Sequence, residues 1–81
     1  MERLIGLIVY AVAGRDKGRY FAVVGTEGGY ALIADGKIRK LEHPKKKNLS
    51  HLRLTGQKTE LTGITDRKLR NLLKEFTEQN P

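Results

Sequence analysis

Turn signals recur along the first half of the chain at intervals too short for a helix. Gly14 and Gly18 bracket a charged loop, Gly25-Thr26-Glu27-Gly28-Gly29 supplies residues that accept positive backbone angles, and Asp35-Gly36 is a strong short hairpin signal. The segments between them are rich in β-branched and aromatic residues. Leu4–Ala13, Arg19–Val24 and Tyr30–Ala34 therefore read as strands, and Lys37–Leu41, which alternates cation with Ile38 and Leu41, as a fourth with Ile38 turned inward. His43–Asn48 reads as an exposed loop, because Pro44 lacks a ladder donor and Lys45, Lys46 and Lys47 repel one another. Leu49–Leu54 supplies a last strand, with Leu52 and Leu54 positioned to close the sheet.

Beyond Thr55-Gly56 the apolar period changes. Leu69, Leu72, Leu73 and Phe76 fall at helical spacing, so Asp66 to about Thr77 is expected to be an amphipathic helix. Thr65 suits its N-cap, Asp66 suits the positive end of its dipole, and Ile64 with Leu69 occupies the positions of a hydrophobic staple. A chain of 81 residues holds one core, so residues 1–58 are expected to form the sheet domain and residues 59–81 a helical extension packed on it. The fold class is thus mainly β, about five short antiparallel strands with one C-terminal helix.

Cysteine is absent, which removes disulfides, thiolate metal sites and cysteine nucleophiles and suits a reducing cytoplasm. The N-terminal apolar run is interrupted by Gly6 and ends in Gly14-Arg15-Asp16-Lys17, so it reads as a strand and not as an export signal. No segment approaches the roughly 18 apolar residues of a spanning helix, and a cytoplasmic protein without membrane contact is expected.

Charge is the most informative property for function. Residues 1–36 carry four basic and four acidic side chains, residues 37–58 eight and one, and residues 59–81 four and four, so the net +7 resides in the 22 residues of the middle segment. Solubility alone does not require such concentration, whereas contact with a polyanion does, since adjacent cations displace counterions from phosphates. If Lys37, Arg39 and Lys40 met Lys45, Lys46 and Lys47 across a hairpin they would form one ridge able to neutralise about six phosphates.

The run Ala13-Gly14-Arg15-Asp16-Lys17-Gly18-Arg19-Tyr20-Phe21-Ala22-Val23-Val24 resembles the KOW motif of ribosomal proteins and transcription factors. The likeness continues through Tyr30–Gly36, Lys47–Thr55 and the C-terminal helix, in an order similar to the archaeal and eukaryotic fourteenth large-subunit ribosomal protein of e-type and its small bacterial relatives. A short, Lys-rich connection and the lack of a long tail favour the bacterial relatives. The resemblance implies an SH3-like barrel that contacts RNA through basic loops, with ribosomal RNA of the large subunit and neighbouring ribosomal proteins as partners. It assigns RNA contact to Arg15, Lys17 and Arg19.

The charge pattern adds Lys37, Arg39, Lys40, Lys45, Lys46 and Lys47, and strand position adds His51 and Arg53 as RNA contacts. Tyr10, Tyr20, Phe21 and Tyr30 read first as sheet packing. No enzyme is expected, nor a cofactor, metal or small-molecule substrate: Ser50 beside His51 is mere adjacency, His43 and His51 lack companion ligands, and the glycines at 25–29 lack the Lys-Ser/Thr end of a P-loop. The alternative is a protein-interaction adaptor built on the same fold, without RNA binding, although the usual aromatic groove with Trp is missing.

Overall fold

The computed structural model describes residues 2–80. A 3₁₀ turn at Glu2–Leu4 leads into β1 (Leu7–Ala11), β2 (Tyr20–Glu27), β3 (Tyr30–Ala34) and β4 (Lys45–Asn48); a second 3₁₀ turn, Leu49–His51, connects to β5 (Leu52–Lys58), and α1 spans Asp66–Gln79. The strands form one antiparallel sheet in the order β4-β3-β2-β1-β5.

That order forces the sheet to curl. Laid flat, its two edges would be four strand spacings apart, about 19 Å. The edge strands β4 and β5 are joined only through Leu49–His51, and the four Cα steps from Asn48 to Leu52 reach at most about 15 Å. Register shifts between Val23 and Gly25 on β2, and between Leu7 and Val9 on β1, supply local bends. Among the described residues no ladder joins β4 to β5, so the pairing describes an open, curled sheet.

Both sheet faces are covered, which explains why β1 and β2 read as nearly continuous apolar runs. Val9, Ala11, Phe21, Val23, Ala31, Ile33 and Leu52 fill the concave face. Ile8, Ala22 and Ala34 form a cross-strand row on the convex face, and Leu69 and Leu73 of α1 lie on it, flanked by Tyr20, Leu72 and Phe76. Two alanines in that row let the helix approach closely. The apolar stripe of α1 is therefore committed to its own sheet, and Thr65 caps the helix, its hydroxyl accepting from the Lys68 N–H at 3.2 Å. No helix among the described residues is long and apolar enough to cross a membrane.

Three local expectations are corrected. Lys37–Leu41 is not a strand: Oδ1 of buried Asp35 accepts the N–H groups of Lys37 (2.9 Å) and Arg39 (2.8 Å), closing residues 35–39 into a loop that outcompetes a ladder. Ile38 is consequently 49% exposed rather than internal. Lys45–Asn48, expected as a loop, is instead the fourth strand, pairing Ala31 with Lys47 and Leu32 with Lys46. It tolerates its neighbours because it lies at an edge, Pro44 precedes it, and Lys46 and Lys47 find carboxylates. The final strand begins at Leu52, not Leu49, and runs to Lys58; Leu52 enters the core while Leu54 remains 49% exposed.

Gly36 sits where loop and helix meet, at φ +75°, and a Cβ there would overlap the Asp66 backbone carbonyl. Gly36→Ala is expected to cost at least about 2 kcal/mol through backbone strain and displacement of α1. Leu69→Ala should cost about 2–5 kcal/mol, whereas exposed Lys68→Ala should change stability by less than about 0.5 kcal/mol. Urea unfolding of the three variants checks this ranking.

Candidate nucleic-acid interface

The loop between β1 and β2 turns tightly because Gly14 and Gly18 adopt φ of +80° and +89°. Ala11 N–H donates to the Arg19 carbonyl at 3.0 Å and Gly18 N–H to the Ala11 carbonyl at 2.9 Å, so the loop is closed at its base. Its Asp16 points inward and is only 3% exposed. Arg39 donates Nε–H to Oδ1 and Nη2–H to Oδ2 of Asp16, both at 3.2 Å, and Lys47 Nζ lies 3.6 Å from Oδ2.

This triad brings together three segments distant in sequence: the 14–18 loop, the 35–41 loop and β4. Gly14 also makes room for it, since a Cβ at that position would lie 2.7 Å from the Lys47 ammonium. The Lys47 and Asp16 side chains are 8% and 5% exposed, so their attraction is poorly screened by solvent. Among the described residues no buried side-chain nitrogen or oxygen lacks a hydrogen-bond partner.

Above the triad lies a groove of about 380 Å³, lined by Gly14, Arg15, Asp16, Arg39, Lys45, Lys46, Lys47, Asn48 and His51. Asp16 is its one acidic lining residue and already faces two cations. Arg15, Lys45, Lys46 and His51 are exposed at the rim, and Lys17 and Arg19 extend the same loop into solvent. The Asn48 side chain shapes the far wall, accepting from the Ser50 N–H at 2.9 Å and hydroxyl at 3.0 Å and so starting the 3₁₀ turn that carries His51.

The cations expected from the sequence separate into distinct groups. Arg15, Lys45, Lys46 and His51 line the groove, Lys17 and Arg19 are exposed outside its lining, and Arg39 and Lys47 are drawn beneath it by Asp16. Lys46 also lies 3.6 Å from Glu27 and 4.8 Å from the centre of the Tyr30 ring, on a surface where such a pair contributes little. Lys37 lines a different cavity, beside α1, and Lys40 is exposed in the same loop. Arg53 lies 4.8 Å over the Tyr10 ring on β1, which in turn meets the Tyr20 ring at a tilt of 58°. The single six-cation ridge is thus replaced by a groove around β4 and a separate cluster beside the helix. No protein-family model matches the chain, and no curated protein does.

In the sequence Asp16 stands out only as one member of the charged loop between Gly14 and Gly18. The available signal was an acid set within a cationic loop, but its partners are 23 and 31 positions away, beyond any local pattern. Asp16→Ala would leave the buried Lys47 without its carboxylate and is expected to cost about 3 kcal/mol or more. The double variant Asp16→Ala, Lys47→Met should recover much of that loss. Chemical denaturation of the two single variants and the double variant measures the coupling.

Proposed function

We propose that this domain binds structured RNA through backbone phosphates, with the groove between the 14–18 loop and β4 as the contact surface. The carrying observation is the electrostatic make-up of that groove: Arg15, Lys45, Lys46 and His51 surround it, while its one carboxylate is turned beneath them and occupied by Arg39 and Lys47. A groove lined by cations, whose one lining carboxylate is already engaged beneath them, suits a polyanion. The buried triad holds the loop and strand at a fixed separation, which lowers the ordering cost of contact.

Phosphates can bind accessible cations on a positioned scaffold without base readout, so recognition by shape and backbone follows. Arg15, Lys17 and Arg19 are also the positions marked by the resemblance to the KOW motif. That resemblance supports association with the large ribosomal subunit or an assembly intermediate, in the cytoplasm, without catalysis. The packing of Leu69 and Leu73 of α1 on the sheet supports this reading over a helix-mediated adaptor, which would need that apolar stripe for a partner.

Arg15, Lys45 and Lys46 are the exposed Lys and Arg side chains that line the groove, and their full engagement would give a slope of log affinity against log salt of roughly −3. The charge reversal Arg15→Glu, Lys45→Glu, Lys46→Glu should abolish binding to a stem-loop RNA while preserving the fold, because it spares Lys47. In lysates, the native protein should sediment with ribosomal particles at low salt and leave them at raised salt. Unchanged RNA affinity in the triple variant would refute the groove assignment. Equal affinity for duplex DNA at matched salt would refute RNA selectivity.

A further inference from the structure

We propose that the 35–41 loop and the middle of α1 form a second phosphate-binding face, allowing folded RNA to be held on both sides of that loop. The inference rests on the RNA-binding reading and extends it to residues outside the groove. A cavity of about 410 Å³ lies between loop and helix, lined by Asp35, Lys37, Arg70, Asn71 and Lys74. It shares no lining residue with the groove around β4.

The three cations here meet without compensation. Neither Lys37, Arg70 nor Lys74 forms an ion pair among the described residues. Asp35, the one acid in the lining, is buried, and its Oδ1 is engaged by two backbone N–H groups of the loop. Arg70 and Lys74 are like charges one helical turn apart, an unfavourable pair for an isolated helix. Apart from Asp66 in the first turn and Lys74, the charged residues of the helix oppose its dipole: Arg67, Lys68 and Arg70 lie towards its positive end, and Glu75 and Glu78 towards its negative end. Helix stability therefore does not account for this distribution, whereas a polyanion would relieve it.

The face is also held rigid although its side chains project into solvent. Arg70 donates from Nη1 to the Gly36 carbonyl at 3.2 Å, and Asp66 Oδ1 accepts the Leu41 N–H at 2.8 Å. With the two bonds to Asp35, the loop is fastened at both ends to the helix and to itself. An exposed loop fixed in this way presents Lys37 at a constant position relative to Lys74, and Asn71 adds a neutral donor for a phosphate or a ribose hydroxyl.

The test uses the full chain and a stem-loop RNA of mixed sequence, titrated by fluorescence anisotropy across a salt series. Lys37→Gln, Lys74→Gln is compared with native protein, with the groove variant Arg15→Gln, Lys45→Gln, and with Arg3→Gln, Lys58→Gln, which lowers net charge equally at exposed positions outside both cavities. The helix-face variant should lose about two units of salt slope, and the control should keep the native slope. Amine acetylation of native protein supplies a readout free of mutation: RNA should protect Lys37 and Lys74 and leave Lys58 reactive. A slope for the helix-face variant equal to that of native protein or of the control, with the groove variant impaired, overturns the second face alone. Undiminished acetylation of Lys37 and Lys74 in the complex does the same, and failure of the native protein to bind RNA at the lowest salt overturns both readings.

Discussion

The buried carboxylate of Asp16 organises the basic end of this molecule. Through Arg39 and Lys47 it connects the 14–18 loop to the 35–41 loop and to β4, segments that no continuous ladder joins to one another. The energetic contribution of such a triad is limited, because moving three charges out of water offsets much of their attraction. Its consequence is geometric: two loops and an edge strand are held in one arrangement at a surface rich in like charges, which would otherwise separate. Without the Asp16 carboxylate, Arg39 and Lys47 would crowd together unopposed.

The same carboxylate sorts the cations. A residue count assigns eight basic side chains to positions 37–58, but Arg39 and Lys47 are turned towards Asp16 and are structural, while Arg15, from the balanced N-terminal part, joins Lys45 and Lys46 at the rim. The surface presented to a partner is therefore not the charged segment seen in the sequence. It is assembled across the fold from the loop after β1 and from β4. Below it, the concave core and the helix-covered convex face lock the curled sheet, so the groove has rigid walls despite a core with several alanines and no Trp.

What the sequence made legible was mostly local. The start of α1 was encoded by Ile64, Thr65, Asp66 and Leu69 within six positions, and each of these interactions is completed inside one turn or on the adjacent sheet face. β3 was equally clear because Gly29 and Asp35 bound an apolar run. Lys45–Asn48 was misread because its strand character depends on β3 and on Asp16, a partner 31 positions from Lys47. The residues after Asp35-Gly36 were misread for the opposite reason: a very local competitor, the Asp35 side chain, satisfies the N–H groups that a hairpin would have used. The groove was visible as an excess of cations, but which of them are free could not be read without the tertiary pairing.

Concentrated charge has a further consequence for how such a fold can be stable. Each exposed lysine in the groove raises the repulsion that the folded state must bear, and the chain opposes it with fixed backbone geometry at Gly14, Gly18 and Gly36 and with side-chain bonds from Asp16, Asp35 and Asp66. Three of the nine acidic residues of the chain are thus engaged beneath its basic surfaces, holding the loops that carry the cations. Acids used in this way hold the scaffold without occupying the rim, so attraction for a polyanion and internal order are provided by different layers of the same structure. That separation distinguishes a basic surface organised for contact from one that is merely soluble, because solubility would be served equally well by acids and cations mixed at the rim.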